Sequence, residues 1–250
     1  MHLTTSLPSP VRADSLVLLA PSTAVVPNHF ADVDVDAQRH ATLLTGLQRL
    51  RGEVYLSDQA IGTSQLQDGC HVQASDASSW HIVSVQGDGS VAACARLRDV
   101  LYVEAGGWAV GPEFRGTTMA ITTAMTTYAL GYSLGGFVGL TTATVRHCSS
   151  RMMRKLGGHS FSVAGEAVPT YFDPQYGCDM ELLRFDSAVT SRRYSTLLGQ
   201  VVRTLQHMPV VCATRAVDHG GQLMQPFRSL AAVADRHVPC FDPEEFAATA

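Results

Sequence analysis

The sequence predicts an α/β fold in which helices flank a central mixed β-sheet, and three observations carry that prediction. A helix-period stretch comes first, and a pair of alternating runs around a Gly-Asp-Gly turn comes second. Third, strand-like and helix-like patterns then take turns, giving the order helix, hairpin, strand, helix, strand, helix, strand pair. With 250 residues, 46% apolar and 16% charged, the chain can bury one substantial core.

Residues 1–35, rich in Ser, Thr and Pro at the start, read as an extended leader, partly disordered or draped over the domain. Its apolar run SLVLLAP is stopped by Pro21 and is too short for a membrane span or a signal peptide. Residues 36–190 form the core. The stretch 37–55 is helical, because Leu43, Leu44, Leu47, Leu50 and Val54 recur at three- and four-residue spacing. After a loop punctuated by Gly and Asp, WHIVSVQGDGSVAACARL alternates apolar and polar residues on either side of Gly87-Asp88-Gly89, the signature of a hairpin.

A strand over 101–110 follows, then a helix over 117–132. Its Thr residues lower its intrinsic propensity and leave packing to stabilise it. GGFVGLTTATV reads as a strand. SSRMMRKLGG reads as a helix with Ser at its start, basic residues in its last turn and Gly at its stop. HSFSVAGEAVPTYF and CDMELLRFD read as two more strands. Residues 191–250 are expected to be a helical extension packed on the core. Its helix at 192–206 presents Tyr194, Leu197, Leu198, Val201, Val202 and Leu205 on one face, and its tail, with Pro239 and Pro243, is weakly structured.

Charge narrows the partners. The net charge is -4, from 18 Lys and Arg against 22 Asp and Glu, with no basic run. Neither nucleic acid nor an anionic membrane is therefore expected, and a small, roughly neutral ligand is. The six cysteines show no Cys-x-x-Cys pair and read as free thiols in a reducing, cytoplasmic setting. The ten histidines show no His-x-x-x-His or His-Glu-x-x-His spacing, so no metal site is expected.

Two features could carry chemistry. In VGPEFRGTTMA, Pro112 limits strand pairing, Gly116 permits a tight turn, and the following helix starts with free N–H groups able to hold a phosphate. An ordinary strand-to-helix connection fits the same residues. The second feature is Glu104, a lone acid in EAGGWAV. A buried carboxylate must face a cleft, pair with a cation or take a raised pKa. It could deprotonate an attacking amine, or it could form an ion pair with Arg51 or Arg96. Gly106 and Gly107 weaken the strand and suggest a bulge or the close approach of an extended ligand, or relief of crowding against Trp108. The stretch VPTYFDPQYG over 168–177 could line a pocket or simply pack around a turn.

The segment 110–120 resembles the acyl-carrier-binding motif of the GNAT acyltransferase superfamily, Val-x-Pro-x-x-Arg-Gly-x-Gly-x-Gly/Ala. Val110, Pro112, Arg115, Gly116 and Ala120 match, Thr118 stands at the second Gly, and Glu113 stands where Gln or Arg is common. Lys155, Leu156 and Gly157 match the end of a later helix of that superfamily, with Met153 in the place of its frequent Tyr acid. A narrower resemblance, spanning about residues 50–186, is to acyl-homoserine-lactone synthases and N-acyl amino acid synthases. It rests on Arg51, Val54 and Tyr55, on Arg96 and Leu97, and on Glu104, Trp108 and Val110, with Gly107 where those enzymes carry Arg.

This resemblance implies a GNAT-like fold with a central mixed, splayed sheet, and an N-acyltransferase that moves an acyl group from a phosphopantetheine thioester to an amine. It implies catalytic roles at Glu104 and Trp108. Donor binding falls to Val110, Arg115, Gly116, Thr117, Thr118 and Met119, and substrate binding to Arg51, Tyr55, Arg96, Gly106 and Gly107. No permanently bound cofactor is implied. Acyl-CoA or an acyl-phosphopantetheine carrier is the co-substrate, so an acyl carrier protein is a candidate partner beside a small-molecule amine such as an amino acid. The extensions could enclose a longer acyl chain or form the face of a homodimer. An acetyl-CoA-dependent N-acetyltransferase and a catalytically silent carrier-binding module remain the alternatives.

Overall fold

The structure is a computed structural model that describes residues 15–22, 26–98, 102–136, 138–146, 149–186 and 195–214. Strand β1 (Ser15–Leu19) is followed by β2 (Val33–Val35), helix α1 (Ala37–Ser57), β3 (Trp80–Val85), β4 (Val91–Arg98), β5 (Tyr102–Val110), α2 (Met119–Ser133) and β6 (Val138–Thr144). Then come α3 (Ser149–Lys155), β7 (His159–Ser160), β8 (Ser162–Val163), β9 (Glu166–Ala167), β10 (Tyr171–Asp173), β11 (Cys178–Asp186), α4 (Ser195–Leu205) and β12 (Val210–Cys212). The mixed sheet runs β10-β11-β6-β5-β4-β3-β1-β12-β2, with β7 also on β11, and is the α/β architecture expected.

Helix α1 starts where Asp36 accepts the Arg39 N–H at 2.9 Å, and it buries Leu43, Leu47, Leu50 and Val54 against one face of the sheet. The other face carries α2 and α4, whose Ala129, Leu130, Leu198, Val201 and Leu205 pack with Leu18, Ile82 and Leu97. The apolar face of α4 packs into the core; Tyr194, expected on that face, lies outside the described residues.

Three expectations change. The leader reading fails at β1, which is an inner strand between β3 and β12 with Leu18 and Leu19 wholly buried. Five consecutive apolar residues are what a strand covered on both faces requires. The C-terminal extension is not purely helical, because β12 enters the sheet between β1 and β2. The strand expected in HSFSVAGEAVPTYF is broken into β7, β8, β9 and β10. The chain turns at Ala164 and Gly165, both at positive φ, and Pro169 has no N–H to give a ladder. The Pro-containing tail lies outside the described residues.

The feature that makes a site is the junction of β5 and β6. These parallel strands pair only over Tyr102↔Val138, Val103↔Gly139 and Glu104↔Leu140, and then part. Beyond Glu104, β5 stays on β4 while β6 stays on β11 up to Thr144. Two strand edges therefore face each other across an open wedge.

Candidate active site

A cavity of about 490 Å³ fills the wedge. It passes between the parted strands, so it is lined by Val54 and Tyr55 of α1 on one face of the sheet and by Tyr128 and Gly131 of α2 on the other. Its α2 end is apolar, with Val103, Met125, Leu156 and Phe185. Its α1 end is polar, with Tyr55, Gln73, Arg96, Glu104 and Tyr176.

Gly107 shapes the wall. The β4–β5 register slips between Cys94 and Arg96, so that β5 bulges there, and Gly107 takes φ +60. The extra residue switches the strand's facing. Glu104 and Gly106 point toward Arg96, whereas Trp108 packs on the other side with Val110, Phe114 and Met119. A Cβ on Gly107 would sit 3.1 Å from Arg51 Nη1 and 3.2 Å from Arg96 Cβ, so the backbone is pressed against the two arginines.

Those arginines belong to one charge network. Arg51 is 0% exposed, donates to both carboxylate oxygens of Asp76 at 2.9 and 2.5 Å, and donates to the His71 carbonyl at 2.8 Å. Burial alone would raise the Asp76 pKa, but the bonds and charge of Arg51, together with bonds from Gln73 and Gln48, hold the carboxyl below its ordinary value. Arg96 donates to Gln73 at 2.5 Å, to Ser75 at 2.7 Å and to Glu104 Oε1 at 3.0 Å. Arg98 Nε lies 3.8 Å from Glu104 Oε2. Glu104 is therefore both ion-paired and open to the cavity, with 38% of its side chain exposed. Burial pushes the Tyr55 and Tyr176 phenols up, so both stay protonated donors; Tyr55 Oη donates to the Trp108 carbonyl at 3.2 Å.

At the other end of β5, a 3₁₀ turn over Pro112–Phe114 leads to Gly116 at φ +78, with open space where a side chain would be. Arg115 turns back onto Asp58, the residue closing α1, with Nη2 at 3.0 and 2.9 Å from its two oxygens.

The structure brings Tyr55, Arg96, Glu104, Gly106, Gly107, Trp108, Val110, Arg115 and Gly116 to the cavity. Four expected residues are set back from it. Arg51 is sealed behind the wall on Asp76, because a fully buried guanidinium needs an acid partner more than a ligand. Thr117 accepts the Met119 N–H at 3.2 Å and donates to the Phe114 carbonyl at 2.7 Å, fixing the turn. Thr118 caps α2 with no side-chain bond, and Met119 is buried beside Trp108. Met153 does line the cavity, and Tyr128 Oη donates to the Asp186 carbonyl at 2.7 Å.

Sequence reasoning missed Asp58, Gln73 and Asp76. Asp58 follows Tyr55 by three residues, one turn along the same helix edge, and Arg51 inside an apolar stripe called for an acid such as Asp76. Gln73 gave no signal. Among the described residues no group of three His, Cys, Asp or Glu side chains comes together to hold a metal ion, and no helix is long and apolar enough to cross a membrane.

A sheet that splits after three paired residues, with a bulge on one lip and a turn into a helix at its end, defines the GNAT fold. Comparison with solved structures agrees. The CoA-dependent acyl-homoserine lactone synthase BjaI, with SAM and isopentyl-CoA, matches at TM-score 0.53 and 13% identity over 88% of this chain and 98% of that one. The AHL synthase LasI matches at TM-score 0.46 and 18% identity over 58% and 83%, and Escherichia coli ElaA at 0.44 and 15% over 58% and 91%. At 13% identity the likeness to BjaI is one of fold. No protein-family model matches the sequence, and no curated protein does.

Proposed function

We propose that the chain is an acyltransferase that moves an acyl group from a phosphopantetheine thioester to the amine of a small molecule such as an amino acid. One observation carries this reading: Glu104 opens into the same cavity as the Arg115–Gly116 turn, with the unpaired lip of β5 between them.

In this mechanism the donor's phosphate sits at the turn before α2, and its pantetheine arm lies along the lip of β5 as an added strand. The thioester carbonyl reaches the bulge at Gly107, and the acyl chain runs into the apolar end among Val103, Leu156 and Phe185. The amine enters among Tyr55, Tyr176 and Glu104. Glu104 accepts a proton from the amine, directly or through a water, as nitrogen attacks the carbonyl carbon. The tetrahedral oxyanion is met by backbone N–H at the bulge. The carbon–sulfur bond then breaks and the thiolate leaves; a thiol is acidic enough near neutral pH for no acid to be needed in the place Met153 holds. The apolar end favours an acyl chain longer than acetyl. The BjaI structure, of a CoA-dependent enzyme with isopentyl-CoA, is consistent with such a donor.

The test is thiol release from acetyl-CoA, long-chain acyl-CoA and acyl carrier protein against a panel of amines and amino acids. Turnover is expected with the longer donors, and Glu104→Gln should cut kcat about a hundredfold or more while donor affinity stays within about twofold. Fast turnover by Glu104→Gln refutes the base. No turnover by the wild type with any pair favours the silent carrier-binding module, the reading supported by Met153 in the place of a Tyr.

A further inference from the structure

Taking the donor reading above as its basis, we propose that Asp58 sets the donor class: by holding Arg115, it favours the singly charged phosphodiester of a carrier-bound pantetheine arm over coenzyme A. Arg115 is the cation of the turn where the donor's phosphate sits, and both of its partners are the two oxygens of Asp58. Both residues line the cavity, with Arg115 46% and Asp58 27% exposed. Asp58 is well anchored. It closes α1, its backbone N–H bonds the Val54 carbonyl at 2.9 Å, and its own carbonyl accepts from Arg146 at 3.2 Å. The backbone that carries the carboxylate is therefore anchored at the mouth.

The consequence is electrostatic. Arg115 stands against Asp58 across the mouth, with Arg146 the further cation beside Asp58. By neutralising Arg115, Asp58 lowers the mouth's attraction for coenzyme A, whose pyrophosphate and ribose phosphate carry about four negative charges. The diester joining pantetheine to a carrier serine carries one. An ion pair this open to water is weak, so a single phosphate can share or displace it, whereas the repulsion from the carboxylate grows with each added ligand charge.

The experiment measures binding and needs no acceptor. Coenzyme A and the methyl phosphodiester of 4′-phosphopantetheine are titrated calorimetrically into the wild type, Asp58→Asn, Arg115→Ala and the double variant at one low ionic strength. Asp58→Asn should tighten coenzyme A about tenfold and the diester by no more than about twofold, and the gain should vanish when Arg115 is also Ala. An equal change for both probes, no change for either, or a gain that persists without Arg115 overturns the assignment while leaving the acyltransferase reading intact. Failure of both probes to bind any of the four proteins removes the donor site, and this inference with it.

Discussion

His81 lies beside the ionic network and is 1% exposed, with Nε2 at 2.9 Å from the Asp76 carbonyl. Burial drives its pKa down to about 4, with Arg51 and Arg96 acting in the same direction and Asp76 opposing. In the unfolded chain the ring titrates near 6.5. The folded state therefore binds fewer protons between those values. The stability that the neutral ring supports is whole above 6.5, declines as pH falls, and is fully lost near 4, a swing of about 3 kcal/mol. Asp76, held below its ordinary value, adds a further loss at lower pH still. Urea unfolding of the wild type should lose stability between pH 7 and 4, and His81→Gln should flatten that slope. An unchanged slope would mean that the ring is hydrated and titrates freely.

At this scale the sequence disclosed the acid but not its setting. Glu104 stood out because a carboxylate among Val, Ala, Gly and Trp needs a reason, and two of the reasons offered for it hold: it pairs with Arg96 and it faces a cavity. Arg51 stood out through a motif, yet it serves the network from behind the wall. Gln73 could not be read, since its importance lies in accepting from both Arg51 and Arg96 across more than twenty residues of chain.

The elements were legible in proportion to how local their causes are. α1 and the β3–β4 hairpin follow from spacing and a turn within their own residues. The bulge in β5 was signalled by its glycines, but which glycine mattered depends on the partner strand. That distinction is testable. Gly107 needs positive φ and touches both arginines, whereas a Cβ on Gly106 would meet Arg96 and Glu104 at 3.4 and 3.6 Å, ordinary contact distances. Gly107→Ala should cost about 1–3 kcal/mol in denaturant unfolding, and Gly106→Ala well under 1. Equal costs would place the strain elsewhere than the bulge.

At the scale of the whole molecule, the illegible part is the pairing of segments far apart in the chain. β1 and β12 are parallel neighbours, Leu18 on Val210 and Leu19 on Val211, separated by nearly the whole described chain, and no pattern in either announces the other. Yet β1 ties the two layers together. Leu18 faces α2 and α4, and Leu19 faces α1, each with no exposed surface. The sheet is divided by the wedge, so the half that carries Arg96 and Glu104 is held by β3, β1 and β12 on its far side, not by β6 beyond Glu104. Loss of β1 should therefore act on the site as well as on the core. Leu18→Ala and Leu19→Ala should each cost about 2–5 kcal/mol in chemical denaturation. Removal of residues 1–20 should abolish the cooperative thermal transition in circular dichroism, because β3 and β12 would both face an empty lane lined with unpaired backbone. A truncated chain that still melts cooperatively would show that the remaining strands close that lane, and that the N-terminal segment is dispensable after all.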